Sequence, residues 1–185
     1  SEEVLTTIAG INGPVMVLKT SAGKKAECQP YIRVRVGAIE RYIAIDTCCS
    51  AEAVICEEHL FEGASKRTWV DSYEKFDEPI GIKGVSGKTN TQLVGVAGIT
   101  VCIEGRSMPI EFQVLRNGST GNAFAILGHP WVCATNTQLS FGLENGVKMG
   151  KAVIGKPPDG KGELTCKIMF HLAESATGKA VRFTQ

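Results

Sequence analysis

The chain has no surplus of charge of either sign. Twenty Lys and Arg against nineteen Asp and Glu leave a formal charge of +1 over 185 residues, so there is no global field of the kind that holds nucleic acid or an anionic membrane. Long apolar runs are missing too: none approaches the roughly twenty residues of a membrane span. The start, Ser1-Glu2-Glu3, has no basic-then-apolar leader, and the expectation is a soluble chain that is a segment of a longer polypeptide. Histidine is scarce, with three, and aspartate scarcer than its size suggests, with four. Few candidates therefore exist for acid-base work.

What is present points to one domain of moderate size with a substantial core, since 43% of the residues are hydrophobic and 21% charged. The seven cysteines are an odd number at irregular positions, 28, 48, 49, 56, 102, 133 and 166. Several fall inside apolar runs where a thiol packs as a small hydrophobe, which fits a reducing interior better than a disulfide framework. Twenty-one glycines punctuate short runs rich in Val, Ile and Thr, the pattern of many short strands joined by turns.

The clearest hairpin alternates polar and apolar residues over Tyr31 to Val36, turns at Gly37-Ala-Ile-Glu40 and returns over Arg41 to Ile45. Further strands are predicted over residues 13–20, 53–56, 92–103, 108–115, 138–142, 147–154 and 164–170. Short helical signals stand at 56–63 and after Gly128, where Pro130 suits a first turn. Residues 63–78 and 155–162 read as breaks. The fold class predicted is all-β with one short helix after Gly128, divided as an N-terminal extension over 1–27 adding a strand to the sheet, a main domain over 28–146 and a β extension over 147–185.

Asp46-Thr47-Cys48-Cys49-Ser50 ends the long apolar strand of that hairpin, placing a carboxylate and a small hydroxyl where a buried strand turns into a loop. Asp71, Asp77 and Asp159 lie in polar segments and end no such strand. Downstream come Gly81-Ile-Lys-Gly84-Val-Ser-Gly87 and Phe124-Ala-Ile-Leu-Gly128-His-Pro-Trp131. In order and spacing, over roughly Cys28 to Gly146, these three elements resemble a retropepsin-like aspartic protease, the retroviral and retrotransposon type.

The resemblance implies an acid-protease barrel and a homodimeric endopeptidase in which Asp46 of each chain activates water and Thr47 braces the pair. Peptide hydrolysis by carboxylates needs two of them, one ionised and one protonated, and crowding like charges splits their titration accordingly. One Asp46 per chain implies a second copy across a twofold axis. The resemblance further implies a flap in which Gly84, Val85, Ser86 and Gly87 contact a peptide or polyprotein substrate. Cys48 also lines that cleft, and Ile126, Leu127 and Gly128 support the catalytic loop. No metal or organic cofactor is needed. The implied setting is polyprotein processing, in the cytoplasm or within a virus-like particle, with no nucleic acid or membrane partner.

Cys48 stands where the family carries glycine, a residue that accepts close approach of substrate and partner backbone. That departure opens three readings: a tolerated variant, a silenced module kept for dimerisation or peptide binding, or a thiol that makes activity oxidation-sensitive. Other chemistries fit less well. A Cys48 or Cys49 nucleophile would need a nearby histidine, and the adjacent carboxylate opposes its ionisation. Cys56-Glu-Glu-His59 has metal-sharing spacing but no second paired motif. Gly87-Lys88-Thr89 ends like a phosphate loop, yet the required earlier glycine is Ile82. Asn117-Gly-Ser119, a glycosylation pattern, reads as a turn.

Overall fold

In a computed structural model, residues 29–82 and 90–170 are described in full, apart from the Val147 side chain. The backbone alone is described for Val4–Gly10, Gly13–Lys19, His171, Leu172 and Val181–Phe183. The strands in chain order are β1 (Val4–Gly10), β2 (Gly13–Lys19), β3 (Gln29–Val36), β4 (Ile39–Asp46), β5 (Ala53–Cys56), β6 (Phe61–Glu62), β7 (Ser65–Lys66) and β8 (Val70–Gly81). They continue as β9 (Gln92–Ile103), β10 (Arg106–Arg116), β11 (Ala125–Gly128), β12 (Thr137–Glu144), β13 (Val147–Ile154), β14 (Leu164–Leu172) and β15 (Val181–Phe183). Among the described residues, one helix, α1 (His129–Ala134), follows β11, and a single 3₁₀ turn occupies Glu57–Leu60.

The main sheet runs β12-β13-β14-β3-β4-β11-β5-β10-β9-β8, and β3 also pairs with β9 through Arg35 and Cys102. Strands β3, β4, β11, β5, β10 and β9 therefore close into a barrel. Alternation fills it: on β3, Ile32, Val34 and Val36 are buried while Arg33 and Arg35 are exposed, and on β10 Met108, Ile110, Phe112 and Val114 point to the same core. The hairpin turn between β3 and β4 has only two residues, with Gly37 at φ +59° in the first central position, where a side chain would be strained.

Three short strands break the alternation for a physical reason. Ile43, Ala44 and Ile45 of β4, all of β5, and Ala125, Leu127 and Gly128 of β11 are buried. They form the middle of the sheet, covered on one face by the core and on the other by a small cluster of Tyr31, Ala44 and Ala123. Continuous apolar runs are the sequence mark of strands covered on both faces.

The break expected over residues 63–78 is instead mostly β8, a twelve-residue edge strand. Its charges and its slipped register between Lys75 and Ile80 are how an edge strand avoids pairing with another chain, and they hide its strand character in the sequence. At the far end, β13 and β14 extend the same sheet, whereas β1 and β2 pair with each other as a separate two-stranded unit and not with the main sheet. The loop between β13 and β14 is pinned to the β9–β10 turn: Arg106 donates to both carboxylate oxygens of Asp159 at 2.8 and 2.7 Å and to the Gly162 carbonyl at 2.8 Å. Asn117, at φ +56°, lies in a bend just after β10.

Candidate functional site

Asp46 is the last residue of β4, half-buried where the barrel wall ends. Its Oδ1 accepts the Cys48 N–H at 3.0 Å and its carbonyl accepts the Cys49 N–H at 3.0 Å. Both bonds are local: an aspartate at the first position of a tight turn closes it with side chain and main chain together. Thr47 and Cys48, at the crest, are exposed. Cys48 is not among the residues with positive φ, so its backbone lies outside the left-handed region that favours glycine.

Beneath this turn lies β11. It runs parallel to β4 and antiparallel to β5, inserted between them, in a register that sets Ala125 opposite Ile43, Leu127 opposite Ile45 and Gly128 opposite Asp46. The loop from Cys49 to Glu52 then wraps the end of β11: the Gly128 N–H donates to the Glu52 carbonyl at 2.8 Å and the His129 N–H to the Cys49 carbonyl at 2.9 Å. Gly128 is required here by space. A Cβ at this position would overlap the Ala51 carbonyl oxygen and lie 2.8 Å from that of Cys49. Leu127 is wholly buried in the core and Ile126 half-buried on the opposite face.

Helix α1 starts directly from Gly128, with Pro130 in its first turn and Trp131 buried in the main core. It ends after Ala134, where the Thr135 N–H and Oγ1 both donate to the Trp131 carbonyl at 3.0 and 2.7 Å and Asn136 turns to φ +48°. The helix thus anchors β11 by one large side chain.

The structure brings Asp46, Thr47 and Cys48 together with Gly128, and stacks Ile126 and Leu127 behind them. Gly84, Val85, Ser86 and Gly87 lie outside the described residues. The other described carboxylates of interest are engaged elsewhere: Asp159 with Arg106, and Asp71 with the Thr100 hydroxyl at 2.7 Å. A groove of about 500 Å³ between β12, β13 and β14 is lined by Phe141, Met149, Lys151 and Cys166 among others, and Asp46 does not border it.

Burial, with Asp46's charge adding, pushes the Cys49 thiol up, and a hydrogen bond to the Ala51 carbonyl at 3.6 Å only partly offsets this. That is the wrong direction for a nucleophile. Cys56 is turned to the Gly118 carbonyl, and His59 Nδ1 to the Phe124 carbonyl at 3.1 Å with its ring stacked on Phe124. Among the described residues, no group of three or more His, Cys, Asp or Glu side chains is placed to hold a metal ion. None of the helices there is long and apolar enough to cross a membrane.

No protein-family model matches the chain, and no curated protein matches its sequence. The reading of the site therefore rests on its own geometry.

Sequence reasoning missed the main-chain acceptors of Cys49, Ala51 and Glu52, because carbonyls carry no residue-type signal. It also missed Glu57, whose carboxylate takes a two-pronged bond from Arg116 at 2.8 Å on each arm. That hydrogen bond holds the Glu57 carboxyl below its ordinary range and keeps the start of the 3₁₀ turn tied to the end of β10.

Proposed function

We propose that the chain is one subunit of a homodimeric aspartic endopeptidase of the retropepsin type, its barrel being an acid-protease barrel. The observation that carries this reading is the register of β4 against β11, which sets the glycine of Ile126-Leu127-Gly128 opposite Asp46, where the Ala51 and Cys49 carbonyls leave no room for a side chain. An apolar strand inserted as a floor under the carboxylate-bearing turn supports this reading. It holds the acid at a fixed height at the barrel rim, open to a partner.

In the dimer, Asp46 of one chain, ionised, takes a proton from water as the water attacks the scissile carbonyl. Its mate, protonated, donates a hydrogen bond to that carbonyl oxygen, and the proton later passes to the leaving amine. Thr47, exposed beside Asp46, would brace the facing turn, and residues 84–87 would close over the peptide. Processing of a polyprotein, in the cytoplasm or in a virus-like particle, is the role that fits. No step calls for a cofactor.

A second reading is favoured by one observation, the Cys48 side chain at the crest of the turn. There it occupies space that substrate or partner backbone would use, as in a silenced dimerisation or peptide-binding module. Incubation with a pool of unstructured peptides between about pH 4 and 7, where a coupled dyad holds one proton, separates the two. Pepstatin-sensitive cleavage that disappears in Asp46→Asn supports the protease. An inert wild type that gains cleavage on Cys48→Gly supports the silenced module. Cleavage that survives Asp46→Asn removes Asp46 from the mechanism.

A further inference from the structure

We propose that Cys133 and His129 form a thiol-modification site, in which the imidazole activates the cysteine toward small disulfides such as glutathione disulfide. The site does not depend on the protease reading. It stands on a contact between two side chains one turn apart on α1: Cys133 Sγ lies 3.4 Å from His129 Nε2, hydrogen-bond distance for sulfur. Both residues are exposed.

The other described cysteines lack one part or another of this arrangement. Cys56 and Cys166 are buried, and Cys102 is only partly exposed. Cys49 is half-buried and its thiol is pushed up beside Asp46. Cys48 is exposed but next in chain to Thr47 and Asp46, with no imidazole contact among the described residues. Access and a proton acceptor coincide at Cys133.

The chemistry balances without an outside oxidant beyond the disulfide itself. In the tautomer with its proton on Nδ1, His129 accepts the Cys133 thiol proton at Nε2. The thiolate then attacks one sulfur of glutathione disulfide. A new sulfur–sulfur bond forms to Cys133 as the old one breaks, and the departing glutathione thiolate takes the proton back from the imidazolium. Cys133 is oxidised to a mixed disulfide and one half of the reagent is reduced to a thiol.

The position gives the modification a route to the rest of the molecule. His129 is the residue whose N–H donates to the Cys49 carbonyl, and α1 issues directly from Gly128. A tripeptide attached at Cys133 would lie one helical turn from His129, the residue bonded to that loop.

The test exposes the intact chain to glutathione disulfide at pH 7.4 and follows the extent of modification of each cysteine by peptide mass spectrometry, with Cys48 as the internal exposed control. Cys133 should react at least about fivefold faster than Cys48, and His129→Gln should slow Cys133 by a similar factor while leaving Cys48 unchanged. Equal rates at Cys133 and Cys48 in the wild type would overturn the proposal. So would a His129→Gln variant in which Cys133 keeps its rate, or one in which both cysteines change together, since that would report a loosened fold and not a lost acceptor.

Discussion

Gly128 and Asp46 face each other across a parallel strand pair, and the space beside the glycine is already filled by the carbonyls of Ala51 and Cys49. The carboxylate turn and the strand beneath it are therefore fitted to each other to within the size of one methyl group. Adding that methyl is the most direct probe of the arrangement.

Gly128→Ala should destabilise the fold by about 2–3 kcal/mol, because the overlap is with backbone that cannot swing aside. For a chain of this size that is a fall in Tm of roughly 5–10 °C. Gly142→Ala, where a Cβ meets nothing within 4 Å, should stay within about 0.5 kcal/mol of wild type. Thermal melts of the two variants side by side check the contrast, and equal losses would contradict it.

If catalysis needs one Asp46 from each of two chains, an inactive chain should poison an active one. Mixing wild type with a fourfold excess of Asp46→Asn, under conditions where subunits exchange, should reduce cleavage by the wild-type chains to about one-fifth. Activity that stays proportional to wild-type concentration would mean that each chain works alone.

Acid should release the loop between β13 and β14. Hydrogen bonds from Arg106 first, and from the Lys161 N–H second, hold the Asp159 carboxyl down at about 2 against an ordinary 3.8. A depressed folded-state value means that its stabilisation is complete above 3.8 and disappears as pH falls from there through about 2. Asp159→Asn should thus melt below wild type at neutral pH, with the gap narrowing across that acid window. Urea titrations at a series of pH values read it, and a gap independent of pH would rule the pair out as its source.

Among the described residues, the two buried thiols should be silent until the chain unfolds. Burial, with Glu104's charge adding, pushes Cys166 up to about 12, and burial likewise raises Cys56 against the opposing bonds from Thr120. Iodoacetamide at pH 8 should alkylate Cys48 and Cys133 in the native protein and reach Cys56 and Cys166 only in denaturant. Native labelling of Cys166 at the rate of Cys48 would contradict the packing.

Much of the barrel was legible because its strands obey simple periods. The polar and apolar alternation of Tyr31 to Val36 marked the β3–β4 hairpin, and the apolar run that Asp46 ends marked β4 as a buried strand. Asp46 stood out because it alone among four aspartates ends such a run. By contrast the part of β8 within residues 63–78 reads as a break, since edge strands carry charge for the reasons that loops do. The long-range ion pairs, Glu57 to Arg116 and Arg106 to Asp159, join residues 59 and 53 positions apart. Charged side chains on a surface have many possible partners, and only the closed sheet chooses among them. The pairing of Arg35 with Cys102 that closes the barrel is likewise a product of sheet twist, not of residue type.

Since β11 is wedged between β4 and β5, the two strands that flank the turn do not pair with each other, and the piece that joins them is synthesised roughly seventy residues later. A nascent chain that has emerged only past the Asp46 turn owns the acid but has nothing to seat it on. Assembly of this corner must await Trp131, which makes the competence of the turn a late event in the life of the polypeptide.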